Sequence, residues 1–132
     1  MANYFWVAIG GAIGTTGRYW LSGLVAQLMG ETFPWGTLII NVTGSFIIGF
    51  FAVVTGPDGR VFVGSTARQF VMIGICGGYT TFSSFSLQTL NLVNDGEALY
   101  AGANIVLSVA LCLIAVWLGY WLATMTNTMK WV

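Results

Sequence analysis

Residues 98–129 read ALYAGANIVLSVALCLIAVWLGYWLATMTNTM, and this stretch contains no Asp, Glu, Lys or Arg. It is longer than the roughly 20 residues that cross the hydrocarbon core of a bilayer as an α-helix. A helix that is apolar on all sides must be surrounded by protein or by lipid, and a chain of 132 residues is too short to enclose it. The stretch therefore predicts a membrane-spanning helix.

The rest of the chain follows the same pattern. Residues 32–57 and 69–94 are also uncharged and long enough to span, and the whole sequence is 57% hydrophobic and 6% charged, whereas a soluble domain is roughly a quarter charged. The first uncharged run, residues 1–17, reaches spanning length only if Arg18 lies within the helix. We expect a helix there and not a cleaved signal peptide, because residues 1–5 carry no Lys or Arg and no cleavage pattern follows.

Glycine, proline and charged residues separate these runs, most clearly in the turn Gly56-Pro57-Asp58-Gly59. The sequence thus predicts an all-α membrane protein with four transmembrane helices in a single domain, residues 1–132. The expected helices cover about 4–29, 35–55, 69–93 and 98–125. With both termini on one side, Arg60, Arg68 and Lys130 favour a cytoplasmic location for that side. So few charges also make a mixture of both orientations plausible.

Several function classes are poorly supported. The chain has no histidine, and Cys76 and Cys112 lie in apolar runs without a CxxC spacing, which argues against a disulfide framework and a Cys/His metal site. Every acidic residue lies in a predicted connection, so general acid–base chemistry lacks its usual groups and we expect no enzyme. The zero net charge and the absence of a basic patch predict no nucleic-acid partner.

Four helices fill their own centre with side chains and leave no water-filled passage, so transport is expected to need a second copy of the chain. Small residues spaced four apart would allow close helix contacts, either between copies or within one chain. These pairs are Gly10 with Gly14, Gly74 with Gly78, Ser45 with Gly49, and Ala115 with Gly119.

Two predicted helices carry polar residues at steps of four, which places them on one face. These are Thr37, Asn41 and Ser45 on the second helix, and Asn104, Ser108 and Cys112 on the fourth. Such groups either line a hydrated path or bond between helices, or the hydroxyls bond back to their own helix. The amide of Asn41 has no such local partner and must find one near the middle of the membrane.

The third helix contains Gly77-Gly78-Tyr79-Thr80-Thr81, five residues with poor helix propensity. This composition is compatible with a break near the middle of the helix, whose freed carbonyls would suit a monovalent cation, or with a continuous helix that has a packing notch. Phe82 and Phe85 share a face just beyond. Their electropositive ring edges can solvate a small anion, although spacing alone favours core packing.

Three ordered motifs together resemble one family, the Fluc (CrcB-type) fluoride channels of microbes. They are Gly10-Gly11-Ala12-Ile13-Gly14 with Arg18-Tyr19, Gly36-Thr37-Leu38 with Asn41 and Gly44-Ser45-Phe46, and Gly77-Gly78-Tyr79-Thr80-Thr81-Phe82-Ser83-Ser84-Phe85-Ser86. The resemblance implies a dual-topology antiparallel homodimer in the cell (inner or plasma) membrane that conducts fluoride passively. It also implies two fluoride pores and a structural sodium ion, Na+, at the dimer centre.

Specific residues acquire expected roles from this resemblance. The backbone carbonyls of Gly77 and Thr80 from both copies would hold the sodium ion. The remaining expected roles are Phe82 and Phe85 as an aromatic box facing fluoride, Asn41 as an amide donor in the pore, Thr37 and Ser108 as pore hydroxyls, and Arg18 as a vestibule charge that raises the local anion concentration.

Two other functions stay open at this point. A proton-coupled exporter of the small multidrug type also tolerates dual orientation, but it needs a membrane-embedded carboxylate, and no Asp or Glu lies in a predicted span. A noncatalytic membrane subunit that assembles with other proteins and transports nothing would suit the small-residue faces equally well. Fluoride flux through the purified protein alone would distinguish the channel from both.

Overall fold

The computed structural model describes residues 2–129, and every regular element in that range is helical. Lys130, which contributes to the predicted charge bias, lies outside the described residues. The elements are α1 (Ala2–Met29), α2 (Trp35–Val54), α3 (Ser65–Gln69), a π-helical segment (Phe70–Cys76), α4 (Gly77–Tyr79), α5 (Phe82–Asn94) and α6 (Ala98–Thr128).

Three helical segments are long and apolar enough to cross a membrane, namely Trp35–Val54, Ser65–Asn94 and Ala98–Thr128. Helix α1 is similarly long, with 28 residues. The third segment begins at Ser65, earlier than the expected start near Gln69. Gly64 and the polar residues after it form a first helical turn ahead of the apolar run, which a boundary drawn from hydropathy alone does not include.

The π-helical segment was not expected from the sequence. A π-helix has i→i+5 hydrogen bonds, one residue wider than those of an α-helix, and such segments are rare and frequently occur at functional sites. Here the segment includes Gly74 and Cys76, which are both buried, and it lies against α1. The wider turn shifts the register of everything that follows, including Gly77 and the residues at the end of α4.

Glycines allow α1 to pack closely against the π-helical segment and α4. A Cβ atom added to Gly14 would overlap the carbonyl oxygen of Ile75 and lie 2.8 Å from the backbone nitrogen of Tyr79. A Cβ on Gly78 would lie 2.6 Å from the carbonyl oxygen of Gly11. The small-residue spacings of these two helices therefore serve packing within one chain.

Helices α2 and α6 form a second close contact. A Cβ on Gly49 would overlap the carbonyl oxygen of Val116, and a Cβ on Gly119 would overlap that of Phe46. Ala115, the spacing partner of Gly119, is also buried. This pair of helices likewise uses its small residues for contacts inside the chain.

Two arginines bind the carboxyl ends of helices. The guanidinium of Arg68 donates to the carbonyl oxygens of Thr55 at 3.0 Å and Ala52 at 3.1 Å, at the end of α2. Arg60 donates to the carbonyl oxygen of Thr126 at 3.0 Å, near the end of α6. A cation at a helix carboxyl end satisfies open carbonyls and complements the helix dipole, so residues 60–68 connect two helices at one end of the bundle.

Large apolar side chains cover the outside of the chain. Trp20 is 67% exposed, Leu99 83% and Leu113 63%. Ile40 and Ala123, in contrast, are almost fully buried between helices. Outward-facing apolar residues of this size require apolar surroundings, and lipid supplies them where water would not.

Candidate functional site

The chain is extended, not helical, between α4 and α5. Thr80 has φ −81° and ψ 157°, and Thr81 has φ −155° and ψ 116°. Local hydrogen bonds satisfy this interruption: the Thr80 hydroxyl donates to the carbonyl of Cys76 at 2.8 Å, and the Thr81 side-chain oxygen accepts from the Ser84 N–H at 3.2 Å. Thr81 is thus the N-cap of α5, a position in which Thr is preferred.

The side chain of Asn41 holds this interruption open from α2. Its Nδ2 donates to the carbonyl oxygen of Thr81 at 2.9 Å, and its Oδ1 accepts from the N–H of Thr81 at 2.7 Å. The Asn41 amide thereby supplies both hydrogen bonds that a neighbouring backbone segment would otherwise make to Thr81. In a continuous helix that N–H would donate to the carbonyl of Gly77, four residues earlier, so the Asn41 contact releases the Gly77 carbonyl from the helical ladder.

A cavity of about 370 Å³ lies beside the interruption. Four of the predicted pore residues line it, namely Asn41, Phe82, Phe85 and Ser108, together with the predicted sodium ligands Gly77 and Thr80. The rings of Phe82 and Phe85 are 5.1 Å apart and inclined at 49°. Phe85 is buried whereas Phe82 is 74% exposed, so one ring belongs to the chain's own core and the other is largely uncovered.

Ser108 is connected to α5 through a buried network. Its hydroxyl lies 3.3 Å from Oδ1 of Asn104, whose Nδ2 donates to the hydroxyl oxygen of Thr89 at 2.9 Å. Thr89 in turn donates to the carbonyl of Phe85 at 2.7 Å. Asn104 is only 2% exposed, and its contacts connect Ser108 through Thr89 to the carbonyl of Phe85.

Thr37 and Arg18 lie in a second cavity of about 310 Å³, on the other side of Thr81. Thr81 borders both cavities. The structure therefore brings six of the predicted residues together at the first cavity and separates Thr37 and Arg18 from them by the interruption itself. Their roles, like those of the other six, stay predictions.

Gln88 also lines the second cavity, although no motif in the sequence pointed to it. Within residues 2–129, its Oε1 is the one buried side-chain oxygen or nitrogen without a hydrogen-bond partner. A buried polar atom without a hydrogen-bond partner is costly, and in a native structure such atoms often belong to a functional site. Its spacing of four from Ser84, a polar neighbour in the same cavity, was the signal available in the sequence.

The donor set at the interruption suits sodium better than a transition metal. Gly77 is exposed and its carbonyl is freed as described, while Thr80 is extended, so both can offer backbone oxygens. Carbonyl oxygens replace the hydration shell of monovalent cations in ion pathways. In the part of the chain that the structure describes, no group of three or more His, Cys, Asp or Glu residues is arranged to bind a metal.

Comparisons with known proteins agree on one family. The family model described as CrcB-like protein, Camphor Resistance (CrcB), matches residues 5–120. The chain is 63% identical over 125 residues to the Fluoride-specific ion channel FluC of Rhodospirillum rubrum, covering 95% of this chain and 97% of that relative. It is also 62% identical over 130 residues to the protein of the same name from Opitutus terrae, covering 98% of each.

Proposed function

The chain belongs to the CrcB family, and from this premise we propose that it is a fluoride-selective ion channel that lets fluoride leave the cell passively, down its electrochemical gradient. It is a multi-pass membrane protein and not an enzyme. We further propose that α1 is a fourth span and that the protein resides in the inner or plasma membrane. Export by this route lowers the fluoride concentration of the cytoplasm.

One observation carries the proposal: the cavity beside the interrupted helix is lined by neutral polar side chains and aromatic rings. The Asn41 amide, the Ser108 hydroxyl and the ring of Phe85 border it, and none of the Asp, Glu, Lys or Arg residues between positions 2 and 129 does. Fluoride gives up its water only if other donors replace it, while a fixed positive charge would hold the ion too strongly to release it. Several modest donors and ring edges meet both requirements.

The second cavity supplies the entrance in this proposal. Arg18 raises the anion concentration at its mouth, and Thr37 and Gln88 offer neutral polar groups further in. Thr81 separates this cavity from the first one, and its backbone groups are already bonded to Asn41. An anion that passes this point therefore meets side-chain donors and not open backbone groups.

Two antiparallel copies complete each pathway in this proposal. The exposed ring of Phe82 and the open side of the first cavity are surfaces that a second copy would cover. The proposal also requires that the third span is broken near the middle of the membrane. There the non-helical backbone of one copy would meet that of the other. Few charged residues could bias the orientation of the chain in the membrane, and two of them, Arg60 and Arg68, bind helix carboxyl ends. This small bias is consistent with insertion in both orientations.

A sodium ion at the dimer centre is part of the same proposal. The carbonyls of Gly77 and Thr80 from both copies would hold it, which fits the freed carbonyl at Gly77 and the extended backbone at Thr80. When bound, the ion would supply positive charge that balances partial negative charge on the converging carbonyls. The chain's own task is to keep those carbonyls out of the helical ladder.

Purified protein reconstituted in liposomes tests the function directly. A fluoride electrode and a chloride electrode would record efflux of each ion from separate vesicle preparations. We expect rapid fluoride efflux with chloride efflux at the level of empty liposomes. Absence of fluoride efflux, or chloride efflux at an equal rate, would refute the proposed function.

Replacing Phe82 or Phe85 with Ile is expected to reduce fluoride flux by roughly fivefold each, because an aliphatic side chain has no electropositive edge and one ring contact is worth about 1 kcal/mol. Phe62→Ile is the matched control, since Phe62 is fully exposed in the connection before α3. Flux per dimer would be measured after confirming equal assembly. Unchanged flux in both pore variants would remove the aromatic box from the mechanism.

Replacing Gly77 with Val is expected to leave the single chain folded but to weaken dimer assembly and sodium binding. A Cβ at Gly77 meets only the carbonyl oxygen of Met72, at 3.9 Å, so the chain itself has room. Gly78→Val is the contrasting variant, because its Cβ would meet the backbone of Gly11.

Helix content, crosslinked dimer and the sodium dependence of flux would be compared for both variants. We expect Gly78→Val to lose structure and Gly77→Val to lose only assembly and sodium dependence. A Gly77→Val dimer of normal stability, with flux that depends on sodium as before, would contradict the assignment of Gly77 to the sodium site.

A further inference from the structure

The hydrogen bonds around Asn104 run in one direction. The hydroxyl of Ser108 can only donate to Oδ1 of Asn104, because a carbonyl oxygen has no hydrogen. Nδ2 of Asn104 then donates to Thr89, and Thr89 donates to the Phe85 carbonyl. The single proton of the Ser108 hydroxyl is therefore committed to Asn104, and the group presents only lone pairs to the adjacent cavity.

A Ser108 hydroxyl that donates its proton to Asn104 cannot bind fluoride, because an anion needs a hydrogen-bond donor. The alternative needs no movement of a neighbouring residue, since a half-turn of the Asn104 amide about its Cβ–Cγ bond exchanges the positions of its oxygen and nitrogen. Nδ2 would then donate to the Ser108 oxygen, Oδ1 would accept from Thr89, and the Ser108 proton would be free. The Phe85 carbonyl would lose only the Thr89 contact.

We infer that Asn104 is a positioning residue whose amide orientation decides whether Ser108 offers a proton or a lone pair to an ion in the cavity. The inference rests on the proposed fluoride conduction and adds to it a residue that does not itself border the cavity. An anion beside Ser108 favours the orientation that frees the proton, as any ligand favours the state to which it binds better.

Two observations support a switch and not a fixed contact. The Ser108–Asn104 distance of 3.3 Å exceeds the usual range for O–H···O hydrogen bonds, so this bond is weak and easily exchanged. Asn104 is 2% exposed, so water does not compete for its amide and both orientations depend on the same two neighbours, Ser108 and Thr89. The exchange thus stays within a closed set of three side chains.

A double-mutant cycle on fluoride flux tests the inference. Ser108→Ala is expected to lower flux by roughly tenfold in the wild-type background, the value of one hydrogen bond to a charged group. In the Asn104→Leu background the same change is expected to cost less than about twofold, because Ser108 without the amide bonds back to its own helix. Size-exclusion chromatography would confirm that each variant still assembles.

Thr89 provides an independent route if Asn104→Leu does not fold. Thr89→Val removes the hydroxyl that anchors the amide in both orientations and is expected to reduce the Ser108→Ala effect similarly. Thr89→Ser keeps the hydroxyl and is expected to preserve the full effect. Normal wild-type flux with an equal Ser108→Ala cost in every background would overturn this inference alone, whereas absence of wild-type flux would overturn the proposed function together with it.

Discussion

Replacing Asn41 with Leu is expected to abolish measurable fluoride flux, a loss of at least about a hundredfold. The amide of Asn41 makes both hydrogen bonds to the backbone of Thr81, at 2.9 and 2.7 Å. Leu is of similar size and can make neither bond. Each buried backbone group left without a partner costs roughly 1–3 kcal/mol, so the interruption would lose about 2–6 kcal/mol of stabilisation in addition to a pore donor.

The backbone has a ready alternative once Asn41 is gone. The N–H of Thr81 can return to the carbonyl of Gly77 and continue the helix, which would remove the extended segment and the freed carbonyl together. We therefore expect loss of sodium dependence as well as loss of flux. Both follow from one change on a different helix.

Asn94→Leu is the matched control for this variant, because Asn94 is exposed at the end of α5. Fluoride efflux from liposomes and thermal unfolding in detergent would be measured for both proteins. Asn94→Leu is expected to retain at least half of the wild-type flux. An Asn41→Leu protein with wild-type flux would show that the Thr81 contact is not needed for conduction.

Replacing Gly14 with Val is expected to destabilise the chain by about 3 kcal/mol, at the upper end of the usual cost of overpacking. The added side chain would occupy the position of the Ile75 carbonyl and crowd the Tyr79 nitrogen. These are backbone atoms and cannot rotate away. Helix α1 must therefore move away from the π-helical segment and α4, which also displaces the residues that lead into the interruption.

Gly17→Val tests whether the effect is specific to the contact. Gly17 lies on the same helix, and a Cβ there has no neighbour within 4 Å. The fraction of monodisperse protein and its thermal midpoint would be compared for the two variants, followed by fluoride flux. We expect Gly17→Val to resemble the wild type. Equal stability of both variants would mean that the close approach of α1 to α4 contributes little.

The Gly14→Val and Asn41→Leu variants test two different requirements of the proposed channel. Gly14 allows α1 to lie close to the π-helical segment and α4. Asn41 instead stabilises the extended backbone at Thr81 by hydrogen bonding. A protein that fails through Gly14 is expected to lose structure before it loses function. A protein that fails through Asn41 is expected to retain most of its helices and lose the pathway, so helix content distinguishes the two failures.

The sequence by itself determined the helices and the connections between them. Uncharged runs longer than a bilayer is thick, separated by turns such as Gly56-Pro57-Asp58-Gly59, predict long apolar helices because both signals depend on residues close together in the chain. The ordered motifs were equally informative, and the prediction of a fluoride-channel family is confirmed by the family model and the relatives. These properties depend on neighbouring residues or on the order of motifs along the chain, so the sequence contains them.

Only the tertiary structure decided which groups meet. The partner of Asn41 lies forty positions away, and that partner is backbone, which has no residue-type signature in a sequence. Arg68 likewise binds backbone carbonyls at the end of α2. The glycine spacings in the sequence left open whether they join two copies or two helices of one chain, and the structure shows contacts between helices of one chain. The unpaired oxygen of Gln88 and the direction of the Asn104 hydrogen bonds are further cases, because satisfaction of a polar group depends on every neighbour that packing brings to it.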